Sequence, residues 1–387
     1  MKKSDLVYIG SLFLLFLINF ELGFSQSMDS SIGLSSNSVD GNSIGGMEND
    51  IPKFSRKISH SDFSVNDKRE LLKALTESKA GDVIYIDDKA SIDLSGESKI
   101  KIPAGVILAS GRGINGSKGA LLYTNKNGTF PLFTVEESGT EIFGIRLKGP
   151  DTGIYSGGVD AFANKSEAYK KVNRNKLYHK NMYGVPVSYG IGVSGPNFSI
   201  SNCEVFGWTY AGICLEGNAT NAKIHHNYIH HNQRFGLGYG VVLKKGASAL
   251  ITANLFNFNR HSVAGTGEED ITVEVSYNRF LEDNNTTWAI DMHGGQDRND
   301  GTNIAGRRIE IHHNEIRLKG KALGIVIRGV PTKEAIIYNN LLTYVDRLQK
   351  SETSTNSSKN QARDGIIKGI EQRYAKGRMN VYNNVVN

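Results

Sequence analysis

Two cysteines in 387 residues, Cys203 and Cys214, are too few for a disulfide-built scaffold and lack the paired spacing of a thiolate metal site. One bridge between them is compatible with the sequence, but nothing requires it. A strong charge of one sign is also missing: 45 Lys and Arg against 39 Asp and Glu leave a formal charge of +6 and a sequence pI near 9.0. That modest excess suits a polyanionic partner. The basic residues are scattered rather than striped among aromatics, so nucleic acid is not expected to be that partner. Long apolar runs are scarce as well. The exception follows Met1, Lys2 and Lys3, where Leu6 to Phe20 carries no charge. This run stops short of the ~20 residues of a membrane span. It leads to Gly23 and Ser25, the pattern of a secretory signal peptide cleaved near Ser25 and Gln26. Residues 1–25 are therefore expected to be removed, and the mature chain to be extracellular or periplasmic, without stable membrane insertion.

Helical periodicity is equally sparse. Residues 26–60 are rich in Ser, Gly, Asn and Asp with no apolar period and read as a flexible leader. Between Asn66 and Ser78, Leu71, Leu72 and Leu75 stand at helical spacing before Gly81, which predicts one short helix placed to cap an open core. From Gly81 onward, short β-rich runs alternate with Gly, Ser, Asp and Pro, without intervening helices.

A phrase then recurs in which an apolar residue, two or three polar ones and an Asn precede another apolar residue. Its asparagines are Asn202, Asn227, Asn254, Asn278, Asn314, Asn339 and Asn383, at intervals of 25, 27, 24, 36, 25 and 44. A base period near 25 is that of a solenoid coil of three short strands and their turns. Asn at one turn suits a left-handed backbone, and stacked Asn amides can bond along the axis. The expected fold is all-β, a single-stranded parallel β-helix over residues 61–387 with the short helix at its N-terminal end.

Residues Gly81 to Asp88 and Ile102 to Gly113, followed by the Asn-phrased coils, resemble the right-handed β-helix superfamily of extracellular polysaccharide lyases, uronan epimerases and some glycosidases. The resemblance covers roughly residues 65 to 387. It implies a right-handed coil and an acidic polysaccharide substrate, and it leaves the reaction open because this fold hosts several chemistries. It also implies that Ca²⁺ is a possible carboxylate neutraliser, with Glu216, Asp291 or Glu268 as oxygen donors.

A second strand recurs once per repeat. Its alternation sends Ile191 and Val193, Ile213 and Leu215, Val241 and Leu243, Ile290 and Met292, and Ile325 and Ile327 inward. The outward column then reads Ser194, Glu216, Lys244, an unassigned member of the Arg260 to Thr266 coil, His293 and Arg328, with Asp291 beside it. Around His261 the alternation breaks, so that His261 or its neighbour falls in an inward slot; such breaks mark functional sites. Asp291 and His293, two apart on a strand, share a face, where the carboxylate can orient the imidazole. The insertion Gly294 to Ile304 is expected to wall the groove. The pairs His225 and His226, His230 and His231, and His312 and His313 fall at turns away from this face.

β-Elimination of an acidic polysaccharide requires neutralisation of the uronate carboxylate, removal of the C5 proton and protonation of the leaving oxygen. The candidate catalytic residues are His293 or His261 as base, Asp291 to orient it, Lys244 and Arg260 as cations, and Tyr239 as proton donor. Arg328, Glu216 and Arg298 are the candidate substrate-binding residues. Hydrolysis would need two carboxylates about 5–10 Å apart. Glu216 and Asp291 fall three coils apart, roughly 14 Å at the sheet spacing, although Glu268, Glu269 and Asp270 could approach Asp291. The sequence therefore predicts a monomeric secreted polysaccharide lyase. A C5-epimerase, a hydrolase and a non-catalytic carbohydrate-binding solenoid are its rivals. Five tyrosines between residues 145 and 190 are candidate sugar platforms.

Overall fold

The computed structural model describes residues 56–150, 186–234, 236–282, 288–319, 323–345, 367–368 and 377–386. The expected signal peptide, most of the expected leader, and Tyr155, Tyr169, Tyr178 and Tyr183 lie outside them. The expected helix spans Lys68–Glu77. Asp67 caps it by accepting the Glu70 N–H at 2.8 Å, and Leu71, Ala74 and Leu75 join the core beside the first strands, Phe63–Val65 and Val83–Ile86. Among the described residues no helix is long and apolar enough to cross a membrane.

Among the described residues the chain winds through three all-parallel sheets of eleven, nine and ten strands, each strand pairing with its counterpart one coil away. This is the parallel β-helix that the repeat predicts. The nine-stranded sheet carries the mapped face on Tyr189–Val193, Ala211–Leu215, Tyr239–Leu243, His261–Gly265, Trp288–Met292 and Leu323–Ile327. Its register runs Cys214, Val242, Ala264, Asp291 and Val326 side by side. All ten side chains predicted to point inward are in the core cluster and at most 2% exposed.

Strict alternation fails at one position per coil, with consequences for the site. Gly190, Gly212 and Gly240 face inward together with the Ile or Val that follows. A Cβ on Gly190 would stand 3.0 Å from Trp208 and 3.1 Å from Leu147, and one on Gly240 would stand 3.2 Å from Ile229. Two successive inward residues throw the preceding residue outward. Tyr189 and Tyr239 therefore form a second apolar cluster on the outer face with Cys214, Val242 and Ala264. In the next coils Ser262 and Ala289 fill the glycine slot, so His261 and Trp288 also face out. The inward slot expected near His261 is thus taken by its neighbour Ser262, whose hydroxyl accepts from Asn259.

At the asparagine turn the left-handed position and the ladder amide belong to successive residues. A left-handed residue, φ 52° to 55°, stands at this turn in seven successive coils: Asn202, His226, Ala253, Tyr277, His313, Asn339 and Asn383. The ladder is made by the residue that follows. Asn227 accepts from the Cys203 N–H at 2.9 Å, and the same bond links the N–H groups of Asn227, Asn254, Asn278, Asn314 and Asn340 to Asn254, Asn278, Asn314, Asn340 and Asn384 at 2.9–3.1 Å. Asn202, Asn339 and Asn383 are therefore one residue off the ladder, and Cys203 ends it. Asn is selected here for its amide, which donates and accepts at once. A second, shorter ladder joins Trp208, Asn232 and Asn259 at the corner that leads into the mapped face. Cys203 and Cys214 are both buried and free.

Asn278 accepts from Asn254 and donates to Ile251, Ser276 and Asn314. Asn278→Ala strands several buried groups at once and is expected to lower the free energy of unfolding by about 2–4 kcal/mol. Urea melts check this; a loss under about 1 kcal/mol would mean that the ladder does not hold the coils.

Candidate active site

The outward column is continuous. The N–H groups of Glu216, Lys244, Thr266, His293 and Arg328 bond to carbonyls of the preceding coil at 2.8–2.9 Å, so these five side chains succeed one another coil by coil. Thr266 is the member that the sequence left unassigned. Asp291 stands on the same side, two residues before His293, and is fully buried.

Asp291 is the hub. Arg328 grips it bidentately, Nε to Oδ1 at 2.9 Å and Nη2 to Oδ2 at 2.8 Å. His293 Nε2 lies 3.0 Å and His261 Nε2 3.3 Å from Oδ2. Burial opposes ionisation of Asp291, but His261, His293 and Arg328 outweigh it and hold the carboxyl at about 2. Arg328 also donates from Nη1 to Asp297 at 2.6 Å, and its guanidinium lies over the Trp288 ring at 4.9 Å. One guanidinium therefore joins a buried carboxylate, an exposed one and an aromatic face.

His293 and His261 separate sharply. The His293 side chain is 21% exposed. Its Nε2 is buried beside Asp291 without the angle of a hydrogen bond. His261 is fully buried, stacked between Tyr239 at 5.8 Å and Trp288 at 5.6 Å. Its Nδ1 is 2.8 Å from the Trp288 carbonyl oxygen, to which it donates. Burial, followed by the charge of nearby Arg260, pushes its pKa down to about 3. The 3.3 Å separation from Asp291 is long for a charge-assisted bond, which fits a ring nitrogen without a proton. His261 is therefore a neutral wall behind Asp291 and is not placed to act as a base.

The other nominated residues divide in the same way. Tyr239 is 6% exposed, packs on His261, and burial raises its pKa, so it stands behind the face rather than at a leaving group. Arg260 lies beside Tyr239 and His261. Lys244 reaches Glu216 at 2.9 Å and lies over the Tyr210 ring at 5.3 Å. Arg298 does not face substrate: it donates to the carbonyls of Thr266 and Ile304 and pairs with Asp300 at 2.7 Å, pinning the inserted loop against the coil. That loop begins with a short helix, Gly295–Arg298, which carries Asp297 to Arg328.

The three donors proposed for Ca²⁺ do not fit one ion. Both Asp291 oxygens accept from Arg328, Glu216 pairs with Lys244, and Glu268 accepts from the Thr266 hydroxyl. Among the described residues no group of three or more His, Cys, Asp or Glu is placed to share a metal ion. Asp297, Trp288, Thr266 and Tyr210 were given no role from the sequence. Their membership depends on neighbours a coil or more away and leaves no local signal.

Acid should loosen this cluster. Unfolded His261 takes up a proton near pH 6.5, whereas in the fold it stays neutral down to about 3. Its contribution is therefore complete above pH 6.5 and falls by about 1.4 kcal/mol per unit as the pH drops toward 3. Asp291, whose folded pKa is depressed from 3.8 to about 2, adds a further loss in the lower part of that range. His261→Gln is expected to flatten the dependence of unfolding free energy on pH between 6.5 and 4, and a slope equal to the wild type's would refute the buried neutral imidazole. Asp291→Asn, which leaves Arg328 facing a neutral amide, should cost about 3–5 kcal/mol in the same melts.

Residues 134–285 match the family model described as a right handed beta helix region. Among solved structures, a family 28 exopolygalacturonase from Yersinia enterocolitica is similar at 13% identity and a TM-score of 0.42. The match takes in 86% of this chain and 66% of that one, so the chain spans just under two thirds of that structure's length. No curated protein matches the sequence significantly. With three parallel sheets closed around one core and that model lying across the first coils of the site, the chain is a right-handed parallel β-helix.

Proposed function

We propose that this protein is a polysaccharide lyase that cleaves a uronic-acid-containing polysaccharide by β-elimination, with His293 as the base. The observation that carries the reading is the half-buried imidazole of His293, whose Nε2 lies 3.0 Å from a buried, ionised Asp291 in the middle of an exposed column. A small rotation of the ring on substrate binding lets Nε2–H donate to Asp291 and leaves the Nδ1 lone pair for the groove. Arg328 stands one coil on. Three of its five N–H bonds are committed to Asp291 and Asp297, and one hydrogen on each Nη is left to receive a uronate carboxylate. Neutralising that carboxylate acidifies C5. The proton passes to His293 Nδ1, the electron pair forms the C4–C5 double bond, and the leaving oxygen at C4 takes the proton from the imidazolium.

A hydrolase is the second reading. Glu268 accepts from Thr266 in the coil before His293, and Asp297 from Arg328 on the loop that follows His293, so two carboxylates flank the imidazole. Asp291 is not the acid, because it is buried and held at about 2. An epimerase would share the proton abstraction and return the proton to the opposite face of C5.

Purified protein should be assayed on uronic-acid polymers with ultraviolet absorbance and reducing-end readouts together. Elimination is expected to yield both signals. Reducing ends without unsaturation would assign hydrolysis, altered sugar configuration without cleavage would assign epimerisation, and binding without turnover would leave a carbohydrate-binding solenoid. His293→Ala is expected to lower kcat about 10²–10⁴-fold with little change in KM, and an unaltered rate would remove His293 from the chemistry.

A further inference from the structure

The charges of the face are locally balanced: Lys244 is paired with Glu216, and Arg328 with Asp291 and Asp297. Glu216 is the most open of these carboxylates, with a side chain 42% exposed, and it lies in the same column as His293. A polymer with a carboxylate on every sugar, laid along this column, would set one of its charges against Glu216. The Lys244–Glu216 pair would then have to open.

Beside that pair the wall is aromatic. Tyr210 is partly exposed and lies under the Lys244 ammonium. It is braced edge-on by Tyr189 at 5.6 Å and Tyr239 at 5.8 Å. An apolar ring flanked by one ammonium and one carboxylate offers a surface for the C–H face of a pyranose, with a donor and an acceptor for its hydroxyls. The three residues together carry no net charge. Lys244 precedes His293 by two coils, about 10 Å, within reach of a sugar one or two positions along the same chain.

We infer that Tyr210, Lys244 and Glu216 form a neutral-sugar subsite, so that the substrate is a heteropolysaccharide in which uronates are separated by uncharged sugars. The inference rests on the preceding reading, in which the uronate binds at Arg328 beside His293. Glu216 is its specificity-determining residue, because its carboxylate accepts hydroxyl protons and repels a second uronate.

The test compares two homopolyuronates, polygalacturonate and alginate, with an alternating uronate and N-acetylhexosamine polymer, hyaluronan. Turnover is followed by absorbance, and binding by affinity electrophoresis of the full chain. The expected result is at least a ten-fold higher kcat/KM, or tighter retardation, on the alternating polymer. Glu216→Lys should shrink or reverse that ratio, and the milder Glu216→Gln should move it in the same direction. Equal or better use of the homopolyuronates, or an unchanged ratio in Glu216→Lys, overturns the neutral subsite while leaving the lyase reading intact. Preferential retardation by hyaluronan without turnover of any polymer supports the subsite and overturns the lyase reading instead.

Discussion

Each coil pairs in register with the coil before it, at the roughly 4.8 Å spacing of hydrogen-bonded strands, and this places residues distant in the chain side by side. The asparagine ladder keeps the coils in phase at the turns. It holds across an interval of 36 residues between Asn278 and Asn314 and one of 44 between Asn340 and Asn384, with N–H to Oδ1 distances of 2.9 and 3.1 Å. Insertions are therefore absorbed outside the stacked rungs, and the column on the opposite sheet keeps its order.

The site exploits that order by placing one charge where it has no access to water. A buried carboxylate is expensive unless donors surround it. Asp291 meets that requirement chiefly with a bidentate arginine from the next coil, while His293 Nε2 lies 3.0 Å away. The stack of Tyr239, His261 and Trp288 excludes solvent from behind, and Arg328 on Trp288 closes the end of that stack. Only His293 and the outer edge of Arg328 remain available, and both are held by groups that are themselves fixed, which is what a preorganised site requires.

The glycine slot explains why these aromatic rings are outside at all. Where Gly190, Gly212 and Gly240 approach the core, the backbone bends and the residue before them turns outward; in the next two coils the same bend delivers His261 and Trp288. The same geometry sets Tyr210 and Tyr239 beneath the Lys244 side of the column.

The solenoid, the inward set from Ile191 to Ile327 and the outward order of Glu216, Lys244, His293 and Arg328 were legible in the sequence. A period near 25 and an alternation of two are local patterns that survive without coordinates. The phase of the asparagine ladder was misread by one residue at three turns, because Asn suits both a left-handed position and a ladder amide and occupies both here. The orientation of His261, the commitment of Arg298 to a loop and the gathering of Asp297 and Trp288 around Arg328 were decided only by tertiary structure. Those contacts join residues about 30 positions apart, across coils of unequal length, through side-chain directions set by a backbone bend. Hydrophobic period fixes which way a strand faces, whereas charge pairing between coils depends on distances that exist only once the coils are stacked.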